Sequence, residues 1–137
     1  MENEISFSVS LPDSYEKALE KVTAALKNEG FGVLTEIDVK ATLKKKIDVD
    51  FRRYSILGAC NPPLAHKALQ SDPLVGLLLP CNVTVEETEN GSIVNLVNPK
   101  SMLLANPLLA ENEVLNEVAL DAFARLERVA KDLAGNA

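Results

Sequence analysis

Leu77-Leu78-Leu79-Pro80-Cys81-Asn82-Val83-Thr84-Val85-Glu86, followed by Asn90-Gly91 and then Ile93-Val94-Asn95-Leu96-Val97, is the stretch that decides the fold class. Two apolar-alternating runs joined by an Asn-Gly turn signal predict a β-hairpin with strands over residues 77–86 and 93–97. Pro80 has no N–H to give a ladder, so it is expected at a bulge or on an edge. There it would bend the strand beside Cys81 and re-aim that side chain.

Upstream, Ile5, Phe7, Val9 and Leu11 alternate with Ser6, Ser8 and Ser10, a period of two that marks a strand with one buried face. Asp13 and Glu16 have capping-box spacing, and Tyr15, Ala18, Leu19, Val22, Ala25 and Leu26 then recur at helical intervals. The helix is expected to end near Asn28, with Gly30 at the left-handed cap position. A strand follows over residues 31–39, carrying Glu36 and Asp38 on one face. Residues 40–50 are weakly patterned and predict only a short surface helix or an irregular crossover. Strand character returns over residues 51–60, and Pro62-Pro63 suits a helix start that Asp72-Pro73 terminates. After Asn98-Pro99, a short helical piece containing Met102 leads through Asn106-Pro107 to a terminal helix. The apolar stripe of that helix is Leu115, Val118, Ala122, Leu126, Val129 and Leu133.

This order predicts an α+β fold, a mainly antiparallel sheet with helices on one face, formed by a single domain over residues 1–137. The 137-residue length suffices for one core, and with 47% hydrophobic but only 4% aromatic residues that core must be aliphatic. A net charge of -6 opposes binding to nucleic-acid phosphates. The acidic start Met1-Glu2-Asn3-Glu4 lacks a signal-peptide pattern, and no apolar run approaches a membrane span, so the expectation is a cytoplasmic protein with reduced thiols.

Chemistry concentrates in two near-matching phrases, Ala59-Cys60-Asn61-Pro62 and Pro80-Cys81-Asn82-Val83, which hold both cysteines. Each lies at an end or a bend of a strand, so the sheet is expected to bring Cys60, Asn61, Cys81 and Asn82 to one pocket for a small ligand. Soft sulfur and imidazole donors make Cys60, Cys81, His66 and Met102 a candidate set for a metal such as Cu(I), although the spacing matches no zinc motif. A haem ligand or a redox-active thiol would use the same cysteines. Against these stands plain packing, since free cysteines are among the most buried residues. His66 on a helix commonly serves surface or core, and Asn61 and Asn82 suit local backbone bonding. Glu36 and Asp38 could act as paired carboxylates, with Asp38 toward a ligand, or form a solvated strand face. Lys44-Lys45-Lys46 reads as a solvated face. No phosphate loop, nucleophile elbow or zincin motif occurs, and no signature names a cofactor. Three functions stay open: a ligand- or metal-binding module, a thiol-dependent redox protein, and a dimeric interaction protein with structural cysteines.

The strings Gly30-Phe31-Gly32-Val33-Leu34-Thr35-Glu36-Ile37-Asp38-Val39, Leu57-Gly58-Ala59-Cys60-Asn61-Pro62 with Ala65 and Ala68-Leu69, and Leu77-Leu78-Leu79-Pro80-Cys81-Asn82-Val83-Thr84-Val85 resemble the bacterial and archaeal family known as domain of unknown function 302. The likeness runs in order from about Tyr15 to Met102. It implies the strand, helix, four strands, helix arrangement of the TATA-binding-protein-like fold, usually as a homodimer, with no known activity. The fold carries no expectation of DNA binding, because function belongs to the site.

Overall fold

In a computed structural model, which describes residues 4–135, five strands form one antiparallel sheet in the order β1-β5-β4-β3-β2. They are β1 (Ser6–Leu11), β2 (Gly32–Asp38), β3 (Tyr54–Cys60), β4 (Cys81–Thr88) and β5 (Gly91–Val97). Helices α1 (Tyr15–Asn28), α2 (Val39–Ile47), α3 (Pro62–Ser71), α4 (Pro99–Leu104), α5 (Pro107–Ala110) and α6 (Glu113–Gly135) complete the chain, with a 3-10 turn over Pro73–Leu78. The α+β class and the antiparallel sheet are as the alternation predicts.

Register explains the core. Phe7, Leu96, Val83 and Leu57 form one row across β1, β5, β4 and β3, and Val9, Val94 and Val85 form the next. Paired residues share a face, so one side of the sheet is a continuous aliphatic surface. Helix α1 packs on β4 and β5, and α6 packs on β1. The apolar stripe of α6 is buried at Leu115, Val118, Ala122, Leu126, Val129 and Leu133, as its periodicity predicts. The opposite face is polar along β1, β5 and β4, where Ser8 Oγ bonds to Asn95 Oδ1 at 2.5 Å and Asn95 Nδ2 donates to Thr84 Oγ1 at 3.4 Å.

Several boundaries differ from expectation. Strand β4 starts at Cys81, because residues 73–78 wind into the 3-10 turn and Pro80, unable to donate, precedes the ladder instead of interrupting it. The irregular register lies in β2, between Val33 and Thr35. The two-residue hairpin turn is Glu89-Asn90, and Gly91 already pairs with Thr88. Gly91 has φ +153°, and a Cβ there would overlap the Leu11 carbonyl oxygen of β1, so close strand approach is what requires glycine. Helix α1 is capped by Ser14, whose Oγ accepts from Lys17 N, and not by Asp13, which instead pairs with Lys21 at 2.8 Å. Gly30 takes φ +85° after α1, as expected of a cap glycine. The weak segment is helix α2, capped by Asp38 and with no buried residue. It is the short surface helix of the two alternatives expected, and Val39, Leu43 and Ile47, spaced four apart on it, are not buried.

Candidate functional site

The candidate site forms where β3 ends and β4 begins. Ala59 pairs with Cys81, and Cys60 follows Ala59 at the turn into α3. Pro62 and Pro63 fit the first turn of α3, where no N–H is needed, and Asn61 caps it by accepting from Leu64 N at 3.2 Å. Helix α3 packs on α6 and thus stands beside this end of the sheet. A cavity of about 230 Å³ opens between them.

Small side chains create that space. Ala59, Ala65, Ala68 and Ala122 supply methyl groups where leucines would meet, and Cys60 and Cys81 add two more small residues. Phe31, Leu64, Leu103 and Val118 form the deeper wall. Leu34 and Leu69, 67% and 42% exposed, mark the mouth. Among the described residues, no charged side chain lines the cavity.

Both cysteines are free thiols, Cys60 half-buried and Cys81 buried. Burial pushes the Cys81 thiol up to about 11, with the nearby Cys60 adding to the rise, so Cys81 is protonated at neutral pH. The Asn61 carboxamide is engaged at both ends, since its Nδ2 also donates to Glu29 O at 3.5 Å. Glu29 is held in turn by α6, through Arg125 Nη1 to its carbonyl at 3.0 Å and Arg128 to its carboxylate at 2.9 Å. The cap therefore ties α3 to the end of α1.

Of the residues singled out from sequence, Cys60, Asn61 and Cys81 meet at the cavity. Asn82 does not: strand alternation turns it to the opposite sheet face, beside Ser6, Thr84 and Tyr54. His66 is exposed on α3, rotated from Ala65 by the helical step. Met102 packs by Leu74, Leu78 and Leu109 in a separate depression. The four-donor set for a soft metal thus does not converge, and among the described residues no three His, Cys, Asp or Glu side chains are placed to hold a metal ion.

Asp38 lies away from the cysteines, where its Oδ1 accepts from Ala41 N at 2.9 Å as the cap of α2. Glu36 shares its sheet face and accepts from Ser55 Oγ at 3.4 Å. The Ser55 hydroxyl bonds to that of Tyr15, whose pKa is raised by burial and then by the charges of Asp38 and Glu36. Lys44 pairs with Asp48 at 2.9 Å, in keeping with a solvated face. Sequence reasoning missed the contribution of α6 to the cavity. The available signal was Ala122, a small residue among the larger Leu115, Val118, Leu126, Val129 and Leu133 of the stripe read from the sequence.

The model of the domain of unknown function DUF302 matches residues 7–133. The chain is also similar to the crystal structure of an uncharacterized conserved protein DUF302 from Bacillus stearothermophilus, at 29% identity and a TM-score of 0.80, covering 93% of this chain and 97% of that one. No curated protein matches. No described helix is long and apolar enough to cross a membrane.

Proposed function

The chain belongs to the DUF302 family, and from that premise we propose that it is a single-domain small-ligand-binding protein whose site is the cavity between α3, α6 and the β3–β4 end of the sheet. The carrying observation is the 230 Å³ space walled by four alanines and lined, among the described residues, by no charged side chain. Larger aliphatic residues at those positions would bury more surface, so the space is held open at a cost in stability. Binding is favoured over a thiol reaction because the more buried thiol is hard to ionise.

The test is Ala65→Leu, which adds bulk to the cavity wall. The expected result is a higher melting temperature together with loss of the amide shifts that 1-nonanol is expected to induce around Ala59, Cys60 and Cys81 in wild type. A variant that gains stability and still gives every shift would refute the site.

A second copy is proposed as the partner. β2 is an edge strand, and Leu34, Ile37 and Ile47 near it are 67%, 50% and 63% exposed. Edges this apolar are normally covered. β2 ends in Glu36 and Asp38 while α2 carries Lys40, Lys44, Lys45 and Lys46, so two copies related by a two-fold axis offer each other opposite charges. Leu34 belongs to both the edge and the cavity mouth, so a second copy seated on β2 would lie beside the ligand entrance.

A further inference from the structure

We propose, building on the cavity as a binding site, that its ligand is an uncharged aliphatic molecule with a body of about nine non-hydrogen atoms. The size follows by proportion. An apolar cavity of about 150 Å³ takes benzene, so 230 Å³ takes roughly half as much again.

The chemical class follows from the wall. A carboxylate, phosphate or ammonium group brought into this space would lose its water and find no opposite charge, a penalty that aliphatic contacts cannot offset. A sugar would need several hydrogen-bond partners. The Asn61 carboxamide already bonds to Leu64 N and Glu29 O. The remaining polar side-chain groups on the wall are two thiols, which are weak donors and acceptors. Protonated Cys81 adds no charge at neutral pH. Methylene and methyl groups, by contrast, gain from every wall they touch, and the side chains of Phe31, Leu64, Leu103 and Val118 surround them. The mouth between Leu34 and Leu69 leaves one end of the molecule in water, so a terminal hydroxyl is tolerated there.

The experiment is a titration of isotope-labelled wild-type protein with straight-chain 1-alkanols from butanol to dodecanol, read by amide chemical shifts, with nonanoate as the charged counterpart. Affinity is expected to rise about fourfold per added methylene until about nine carbons and then level off. Nonanoate at neutral pH is expected to bind at least tenfold more weakly than 1-nonanol. Ala65→Leu and Cys60→Leu should each abolish the alkanol-induced shifts, and the chain-length series stands on wild type even if one variant fails to fold. Equal binding of nonanoate and nonanol, or affinity independent of chain length, overturns the aliphatic class and leaves the cavity as a site. No shift at Ala59, Cys60 or Cys81 with any alkanol or with nonanoate overturns the proposal. The cavity itself is rejected as a site if a mixed set of polar and charged small molecules also leaves those amides unmoved.

Discussion

Cys60 stands one residue beyond Ala59, the register partner of Cys81, so the two thiols lie at the ends of adjacent strands, and both line one cavity from positions of unequal burial. Their reactivities should differ accordingly. The Cys81 thiol sits at about 11 against an ordinary 9.0, so near neutral pH it holds about a hundredth of the thiolate of an unperturbed thiol. In Cys60→Ser, where Cys81 remains, iodoacetamide should react about a hundredfold more slowly than with a small-molecule thiol. Equal rates by mass spectrometry would remove the basis for reading Cys81 as an inert wall residue.

The same burial predicts a loss of stability in alkali. The unfolded chain releases the Cys81 proton near pH 9, whereas the folded chain holds it until about 11. The contribution is complete below pH 9, declines between 9 and 11, and is lost above, amounting to about 2–3 kcal/mol. Tyr15, raised chiefly by burial, acts in the same direction. Urea midpoints at pH 8 and pH 11 should fall for wild type and fall less for Cys81→Val. Identical slopes for the two proteins would contradict the assignment.

Serine at the two thiol positions separates packing from binding. Cys81→Ser buries a hydroxyl on an apolar wall and should cost about 1–3 kcal/mol. Cys60→Ser, nearer the mouth, should cost less. Chemical denaturation measures both, and a larger loss at Cys60 would invert the burial order that the structure gives.

Gly58 is required where three strands meet. A Cβ there would overlap Thr35 Oγ1 and approach Pro80 Cγ to 2.7 Å. Gly58→Ala should therefore destabilise by about 1–3 kcal/mol, and Thr35→Ala in the same chain should restore part of the loss. Additive effects in a double-mutant cycle would show that the two positions do not press on each other.

Self-association through β2 predicts that Ile37→Lys and Leu34→Glu, changes at exposed positions, convert a dimer to a monomer while leaving the melting transition cooperative. Light scattering at micromolar concentration decides. A wild-type monomer at that concentration would rule the interface out.

The strands, the hairpin and helices α1 and α6 could be read from the chain because their information is local. A period of two at Ile5 to Leu11, a helical period from Leu115 to Leu133 and a turn signal at Asn90-Gly91 each declare an element within a few residues. Helix α2 is the short surface helix of the two alternatives that residues 40–50 allow, and because it buries nothing no pattern chooses between them; β4 starts later than the pattern predicts because an apolar run such as Leu77-Leu78-Leu79 suits a strand and a 3-10 turn equally until neighbours choose.

By itself, then, the sequence determined the α+β class, the aliphatic core and the placement of Cys60 at a strand end, whereas Cys81 became a strand start only in the structure. Which side chains share a space was decided only by tertiary structure. Strand alternation separates Asn82 from Cys81 by one residue and one whole sheet face, and one helical step takes His66 away from Ala65. Ala122, far along the chain, reaches the cavity because α6 packs on α3. Local pattern records which way a residue points relative to its own element, whereas a cavity depends on how separate elements are set against one another, and that arises from packing across the whole chain.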